Sequence, residues 1–335
     1  MTTIYAAQEA ATPADTALLS DLAAMHKACG DLLRLEILRA LRHNAFGVLE
    51  LCNLFDVRQP AMSHHLKVLA KAGLVETQRE GNTIFYRRTL ATGETLIEEA
   101  IRSLYMVIDQ VELSPLYRER LQEILSQRAE LSQAFFARHA DEFRAQQELI
   151  ATYDYYAEPA LEVLLAADLT EQAKVLEIGP GEGAFLGELS PRFHQVIALD
   201  NSADLLARAR TLASEQGWNN IEFILGDTSV AIERGLKVDA IVMNMVLHHV
   251  PAPADLFEDC YQLLEDGGAL VVTDLGRHDQ TWVKDSCGDL WLGFDPADLT
   301  AWAEEAGFSE GTSLYIGVRN GFQVQIRQFL KQERQ

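Results

Sequence analysis

Glu177, Gly179, Gly181, Gly183, Asp200 and Asp227 are the residues of this 335-residue chain whose types and spacing point most directly to chemistry. Residues 173–183 run Ala-Lys-Val-Leu-Glu-Ile-Gly-Pro-Gly-Glu-Gly. Val175, Leu176 and Ile178 suit a strand buried in a parallel sheet, and the three alternating glycines bend the backbone tightly and let a ligand approach. The spacing is Gly-x-Gly-x-Gly with Ala at 184, so the G-x-G-x-x-G fingerprint of a dinucleotide's pyrophosphate cradle is not met. Asp200 closes the next apolar run, Val196–Leu199, where a carboxylate can accept both hydroxyls of a ribose. Asp227 follows Ile221–Leu225 and Gly226, placed to accept a hydrogen bond from an exocyclic amine. Singly, each acid suits a helix cap or a turn. At successive strand ends the three converge on the carboxyl edge of a sheet, which is where such folds bind nucleosides.

The elements that must carry these groups are legible as alternating strands and helices. Apolar runs recur at Val175–Ile178, Val196–Leu199, Ile221–Leu225, Ala240–Met243 and Ala269–Val272, with helical stretches between, the pattern of a parallel sheet covered on both faces. Ser313–Val318 and Phe322–Phe329, joined through Arg319-Asn320-Gly321, predict an antiparallel pair that ends the sheet.

The N-terminal third has a different grammar. Residues 1–16 lack periodicity and are expected to be a disordered leader. Helices follow from Ala17, after Gly30-Asp31 with the acid as N-cap, over Val48–Phe55, and from Gln59 with Pro60 in the first turn. The last two make a helix-turn-helix. On the fourth helix Met62, Leu66 and Leu69 fall on one side, while Gln59, Ser63, His64, Lys67 and Lys71 share the opposite arc, ready for base edges and phosphates. His65, near the apolar side, is expected to pack. After Gly73 the period changes to two, and the strands either side of Glu80-Gly81-Asn82 form a hairpin. Arg79, Arg87 and Arg88 make the hairpin a DNA-flanking wing, and Arg58, in the turn before the fourth helix, adds to the positive charge.

The composition sets the bounds. The length and an apolar content of 48% suit two domains. The net charge of −22 lies wholly beyond residue 95, because acidic and basic residues balance before it, so an acidic remainder confines any nucleic-acid contact to the N-terminal segment. Cys29, Cys52, Cys260 and Cys287 form no C-x-x-C pair, which suits reduced thiols and gives no metal site. No signal peptide and no apolar run of membrane-spanning length is present, so a cytoplasmic protein without membrane contact is expected.

Two resemblances follow from these residues. Glu50-Leu51-Cys52, Gln59 through Leu69, Ala72-Gly73-Leu74-Val75, Arg79-Glu80-Gly81 and Tyr86 resemble the ArsR-type winged-helix repressors over about residues 18–110. That resemblance implies operator DNA as partner and a homodimer paired through the first and last helices of the domain. Leu54 stands where metal-sensing members carry a second cysteine, so a signal other than a metal at that site is implied. Residues 145–335 resemble class I S-adenosylmethionine-dependent methyltransferases, and the whole resembles bacterial ArsR/methyltransferase fusion regulators, with Phe135-Phe136-Ala137-Arg138 before the sheet. The ligand implied is S-adenosylmethionine or S-adenosylhomocysteine. Glu177 and the glycine turn would hold its methionine part, Asp200 the ribose hydroxyls and Asp227 the adenine amine; Asn244 and Met245 would line it, and Asn201 is a further cofactor-binding candidate.

The expected architecture is therefore multidomain. An α+β winged helix-turn-helix over residues 17–112 is followed by a helical connector over 113–148. Residues 149–335 form a seven-stranded Rossmann-like α/β methyltransferase fold with a reversed last strand. Acceptor-side candidates are His248, His249, Asp274, Arg277, His278, Trp282 and Trp291, with Trp291-Leu292-Gly293-Phe294 as a lid or a packed cap. The chain lacks both the Asp/Asn-Pro-Pro-Tyr/Phe/Trp segment of amino-group DNA methyltransferases and the cysteine set of arsenite methyltransferases. Two functions remain: a repressor whose second domain senses the nucleoside, or an active methyltransferase on an unidentified small molecule that autoregulates its operon.

Overall fold

The computed structural model describes residues 13–139 and 143–332. They divide into two units: residues 13–79 with 83–122, and 80–82 with 123–332. Residues 1–12 of the expected leader lie outside the described residues, and 13–16 already belong to the first helix.

The first unit contains α1 (Pro13–Cys29), α2 (Leu32–Ala40), β1 (Phe46–Gly47), α3 (Val48–Phe55), α4 (Gln59–Lys71), β2 (Val75–Glu80), β3 (Thr83–Arg88), α5 (Leu96–Ile108) and the start of α6 (Pro115–His139). Asp31 caps α2, its carboxylate accepting from the Arg34 N–H at 3.1 Å. Asp56, at a positive φ of 55°, ends α3 and makes the tight turn into α4, which starts with Pro in its first turn. The three strands form one sheet in the order β1-β3-β2, the wing. Met62, Leu66 and Leu69 of α4 are fully buried with Ile37, Leu38, Leu51 and Leu54, each side chain contributing about 1.5–3 kcal/mol by leaving water.

The second unit continues with α7 (Phe143–Ile150) and α8 (Tyr153–Leu165). The repeating part then runs β4 (Lys174–Ile178), α9 (Leu186–Leu189), β5 (Gln195–Asp200), α10 (Ala203–Gln216), β6 (Ile221–Leu225), α11 (Thr228–Glu233) and β7 (Val238–Asn244). It closes with α12 (Pro253–Leu263), β8 (Leu264–Leu275), α13 (Trp282–Cys287), α14 (Pro296–Ala306), β9 (Phe308–Gly317) and β10 (Gln323–Lys331). The sheet order is β6-β5-β4-β7-β8-β10-β9. All neighbours from β6 to β8 pair in parallel, and β10 runs antiparallel to both β8 and β9. The order reverses between β4 and β7, and this switch point is where an open α/β sheet leaves a crevice beyond its carboxyl ends. The helical connector expected over 113–148 contains α6 and most of α7. Both belong to the walls of the second unit's ligand cavity, so this unit begins well before residue 149.

Candidate functional site: an adenosyl pocket at the switch point, and a DNA-facing helix

A cavity of about 590 Å³ opens at the carboxyl ends of β4, β5, β6 and β7, inside the range of small-molecule sites. Glu177, Gly179, Gly181, Asp200, Asn201, Asp227, Asn244 and Met245 all line it. Gly183, expected there as well, does not. A Cβ on it would lie 3.0 Å from the Cβ of Ala209 and 3.2 Å from Leu186, so this glycine serves the close packing of α9 and α10 on the sheet. Gly179 (φ 66°) lies against Val246, whose Cγ2 would stand 2.6 Å from an added Cβ. Gly181 (φ 57°) faces open space. The turn is pinned by the Gly179 N–H donating to the Leu199 carbonyl at 2.8 Å and that of Gly183 to Pro180 at 2.9 Å.

Glu177 is 2% exposed, and burial pushes its carboxyl up to about 8. The Asn244 carboxamide faces it and partly offsets the rise, while the charge of Asp200 adds to it. Glu177 Oε2 and both polar atoms of the Asn244 side chain are buried without a hydrogen-bond partner among the described residues, an arrangement that a bound polar group resolves. Burial likewise lifts Asp200 to about 6, against backbone N–H groups of Ser202, Gly181 and Asn201 that favour its charge. Asp227 caps α11, its Oδ1 accepting from the Ser229 N–H at 3.1 Å; capping and lining fall to one side chain. Met245, next to the unpartnered Asn244, is a non-glycine at φ 57°, backbone strain of the kind held at functional sites. An adenosyl nucleoside with a cationic amino-acid end fits this set: an orphaned acid and amide for the charged end, and a glycine turn with open space beside it.

Other walls had no clear signal in the sequence. Leu125, Ser132 and Phe136 of α6, with Tyr153 and Tyr156 of α8, complete the cavity. Phe136 belongs to the Phe135-Phe136-Ala137-Arg138 run before the sheet, and the Tyr-Asp-Tyr-Tyr run at 153–156 was a further available clue.

Among the acceptor-side candidates His249 alone lines the cavity. His248 is fully buried; its Nδ1 pairs with Asp274 Oδ1 at 2.8 Å and its N–H donates to Asp274 Oδ2 at 3.3 Å. Burial opposes charge on His248, but Asp274 and Asp289 outweigh it and raise the imidazole to about 9. His249 is held well below its ordinary value by burial and by the charge of His248, and His278 falls to about 4 for the same two reasons. His278 packs on Phe322, as does Trp282, which also donates to Gln280. Trp291 donates to the Val250 carbonyl at 2.8 Å. Trp291, Leu292 and Phe294 are buried, and the Phe294 N–H bonds the Leu275 carbonyl. The Trp291–Phe294 stretch is thus the packed cap of the two readings, not a lid.

In the first unit Arg58, Gln59, Ser63, His64, Lys67, Lys71 and Arg79 are exposed. His65 is partly buried 3.8 Å from Asp31. Arg87 pairs with Glu76 at 2.6 Å across the hairpin. Arg88 departs from expectation: its guanidinium is bidentate to Asp109 at 2.9 and 2.6 Å, donates to the Leu38 carbonyl and stacks on Tyr105, so it ties the wing to α5 and is not offered to a phosphate.

Fold and sites define a winged helix-turn-helix joined in one chain to a Rossmann-like methyltransferase fold. The model of the arsR family of bacterial regulatory proteins matches residues 31–77, and a methyltransferase-domain model matches residues 149–310. Among curated proteins it is 29% identical over 167 residues to the tRNA 5-carboxymethoxyuridine methyltransferase of Escherichia coli K12, covering 44% of this chain and 64% of the relative. It is 29% identical to the arsenite methyltransferase of Halobacterium salinarum, covering 40% and 37%. The chain spans less than two thirds of either relative. Among solved structures, the magnesium protoporphyrin IX methyltransferase of Synechocystis with bound S-adenosylhomocysteine superposes with a TM-score of 0.51 at 17% identity, over 61% of this chain and 99% of that one, a likeness of fold. No helix among the described residues is long and apolar enough to cross a membrane.

Proposed function

We propose that the protein is a DNA-binding transcriptional repressor whose methyltransferase-like unit binds S-adenosylmethionine or S-adenosylhomocysteine as an effector. The observation that carries this reading is the contrast within the second unit. Its ligand end is fully furnished with Glu177, Asp200, Asn244 and the glycine turn, whereas six of the seven acceptor-side candidates lie outside the cavity. When bound, the methionine form supplies an electrophilic sulfonium methyl. Glu177 would neutralise the cationic end and Asp200 would take the ribose hydroxyls. Asp227 would accept from the adenine amine.

On the DNA side, the exposed arc Gln59, Ser63, His64, Lys67 and Lys71 supports base and phosphate contacts from α4 in a major groove. Leu19 on α1 and Met106 and Val107 on α5, all more than half exposed, support a homodimer paired through these helices. Operator titration with and without each nucleoside tests the proposal. A change in DNA affinity is expected with at least one of them, and identical affinity with neither, methionine form or homocysteine form overturns the effector reading.

One observation favours the second function, methyl transfer to a small molecule. His249, kept neutral by burial, stands on the cavity wall where its imidazole can hydrogen-bond an acceptor's hydroxyl and orient it. Steady release of S-adenosylhomocysteine in the presence of candidate hydroxyl acceptors would establish it.

A further inference from the structure

His248, His249 and Asp289 come together beside the cavity although the expectation from cysteine spacing was no metal. One donor atom from each lies within 4.8 Å of the others. His248 Nε2 is 3.9 Å from Asp289 Oδ1, and His249 Nδ1 is 4.0 Å from the same oxygen; His249 Nδ1 also lies 3.3 Å from the Gly288 carbonyl oxygen, a hydrogen bond that it gives up, by moving its proton to Nε2, when it serves as a ligand. Donors about 2.1 Å from a tetrahedral ion stand about 3.4 Å apart, so each acid–histidine edge is about half an ångström too long, and with the widest separation in the trio bounded at 4.8 Å the side chains must draw in to close on an ion.

The cluster is dry and incompletely satisfied. His248 is 0% and Asp289 3% exposed, and His248 Nε2 and both Asp289 carboxylate oxygens have no hydrogen-bond partner among the described residues. Its backbone is fixed: the Leu290 and Trp291 N–H groups both donate to the His248 carbonyl, at 3.0 and 3.2 Å, and so fold the Asp289 turn onto the histidine. Behind His248, Asp274 takes its Nδ1 at 2.8 Å. That is the carboxylate–histidine relay that orients imidazole ligands in metal sites, leaving Nε2 as the donor.

We propose that His248 Nε2, His249 Nδ1 and Asp289 bind a divalent first-row transition ion of the zinc type, with Asp274 as the positioning residue. Two imidazoles and one carboxylate select such an ion over calcium or magnesium. Because His249 also lines the cavity, the ion would lie against the wall of the nucleoside site.

The test uses the full chain, stripped with a chelator, and Co²⁺ as the probe, followed by competition with Zn²⁺. One equivalent of Co²⁺ per chain is expected, with visible ligand-field bands, no thiolate charge-transfer band, displacement by Zn²⁺, and a Zn²⁺-dependent rise in the melting temperature of the wild type. D289N and H249Q should each lose most of the affinity. D274N should lower it about 10–100-fold while leaving the stoichiometry at one. Failure of the wild-type chain to bind Co²⁺ or Zn²⁺ overturns the site and leaves the proton on His248 to balance the two acids. So does a thiolate band, or undiminished binding by the D289N/H249Q double variant. The wild-type titration decides the matter even if a variant fails to fold.

Discussion

Glu177 occupies a place where an ionised carboxylate is costly, and its measurable behaviour follows from that. With its carboxyl raised to about 8 by burial, the folded protein keeps a proton that the unfolded chain has already released. Stability therefore falls as pH rises from the ordinary carboxylate range to about 8. E177Q, uncharged throughout, is expected to exceed wild type in denaturant-measured stability by on the order of 2 kcal/mol at about pH 8.5. The same substitution removes the charge that a sulfonium amino acid needs. Wild-type affinity for S-adenosylmethionine should improve by up to about tenfold per pH unit between about 6 and 8, and calorimetry of E177Q should show that slope much reduced. A second pair of residues separates binding from architecture. K67A should leave the melting temperature unchanged, weaken operator binding and reduce its salt slope by about one. R88A, which breaks a largely buried pair with Asp109, should destabilise the first unit by about 3 kcal/mol in thermal melts. Lys67 could be placed from the helical wheel alone. Arg88 could not, because it ends β3 while Asp109 lies 21 residues away at the C-cap of α5, and only the folded hairpin shows that the two meet.

The glycine turn between β4 and α9 uses its three glycines for three different purposes, which the alternating spacing by itself does not reveal. Gly179 avoids Val246, Gly183 lets α10 approach, and Gly181 leaves space. G181A is thus expected to fold, losing about 1–2 kcal/mol for a left-handed alanine, yet to bind either nucleoside at least tenfold more weakly in calorimetry. G179A and G183A should lose folding stability as well. Strand β4, buried from Val175 to Ile178, could be located closely from its apolar run, and so could β6, although it is an edge strand in which Ile224 alone is buried. β8 runs from Leu264 to Leu275, well beyond the apolar run at Ala269–Val272, because its first residues are polar and exposed. The contribution of α6 to the cavity was hidden because its wall residues are of mixed type, Leu125 and Phe136 with Ser126, Ser132 and Gln133, and so follow no apolar stripe. His248, Asp274 and Asp289 were likewise invisible as a group, since a strand and a loop have to bring them to one point.

Taken as a molecule, the protein joins a charge-balanced N-terminal segment to a strongly acidic remainder, so its affinity for DNA must be local and its ligand affinity must be electrostatically tuned within a negative field. If the nucleoside is an effector, linkage demands reciprocity: saturating operator DNA must change the Kd for that nucleoside by the same factor by which the nucleoside changes the Kd for DNA. Calorimetric titration of the protein–operator complex checks this, and unequal factors would mean that the two titrations report different species. The sheet order carries a consequence for how the protein comes into being. β10 is synthesised after β9 but lies between β9 and β8. On the ribosome, every strand of the wing and every helix of the first unit emerges before the sheet's antiparallel half can assemble. Until residues 323–331 arrive, β8 has an open edge and β9 no partner, the condition in which strands pair with the wrong chain. The winged helix can thus be finished while the sheet beneath the cavity still depends on the last strand, and a stalled or clipped chain would carry a complete first unit beside an unfinished second one.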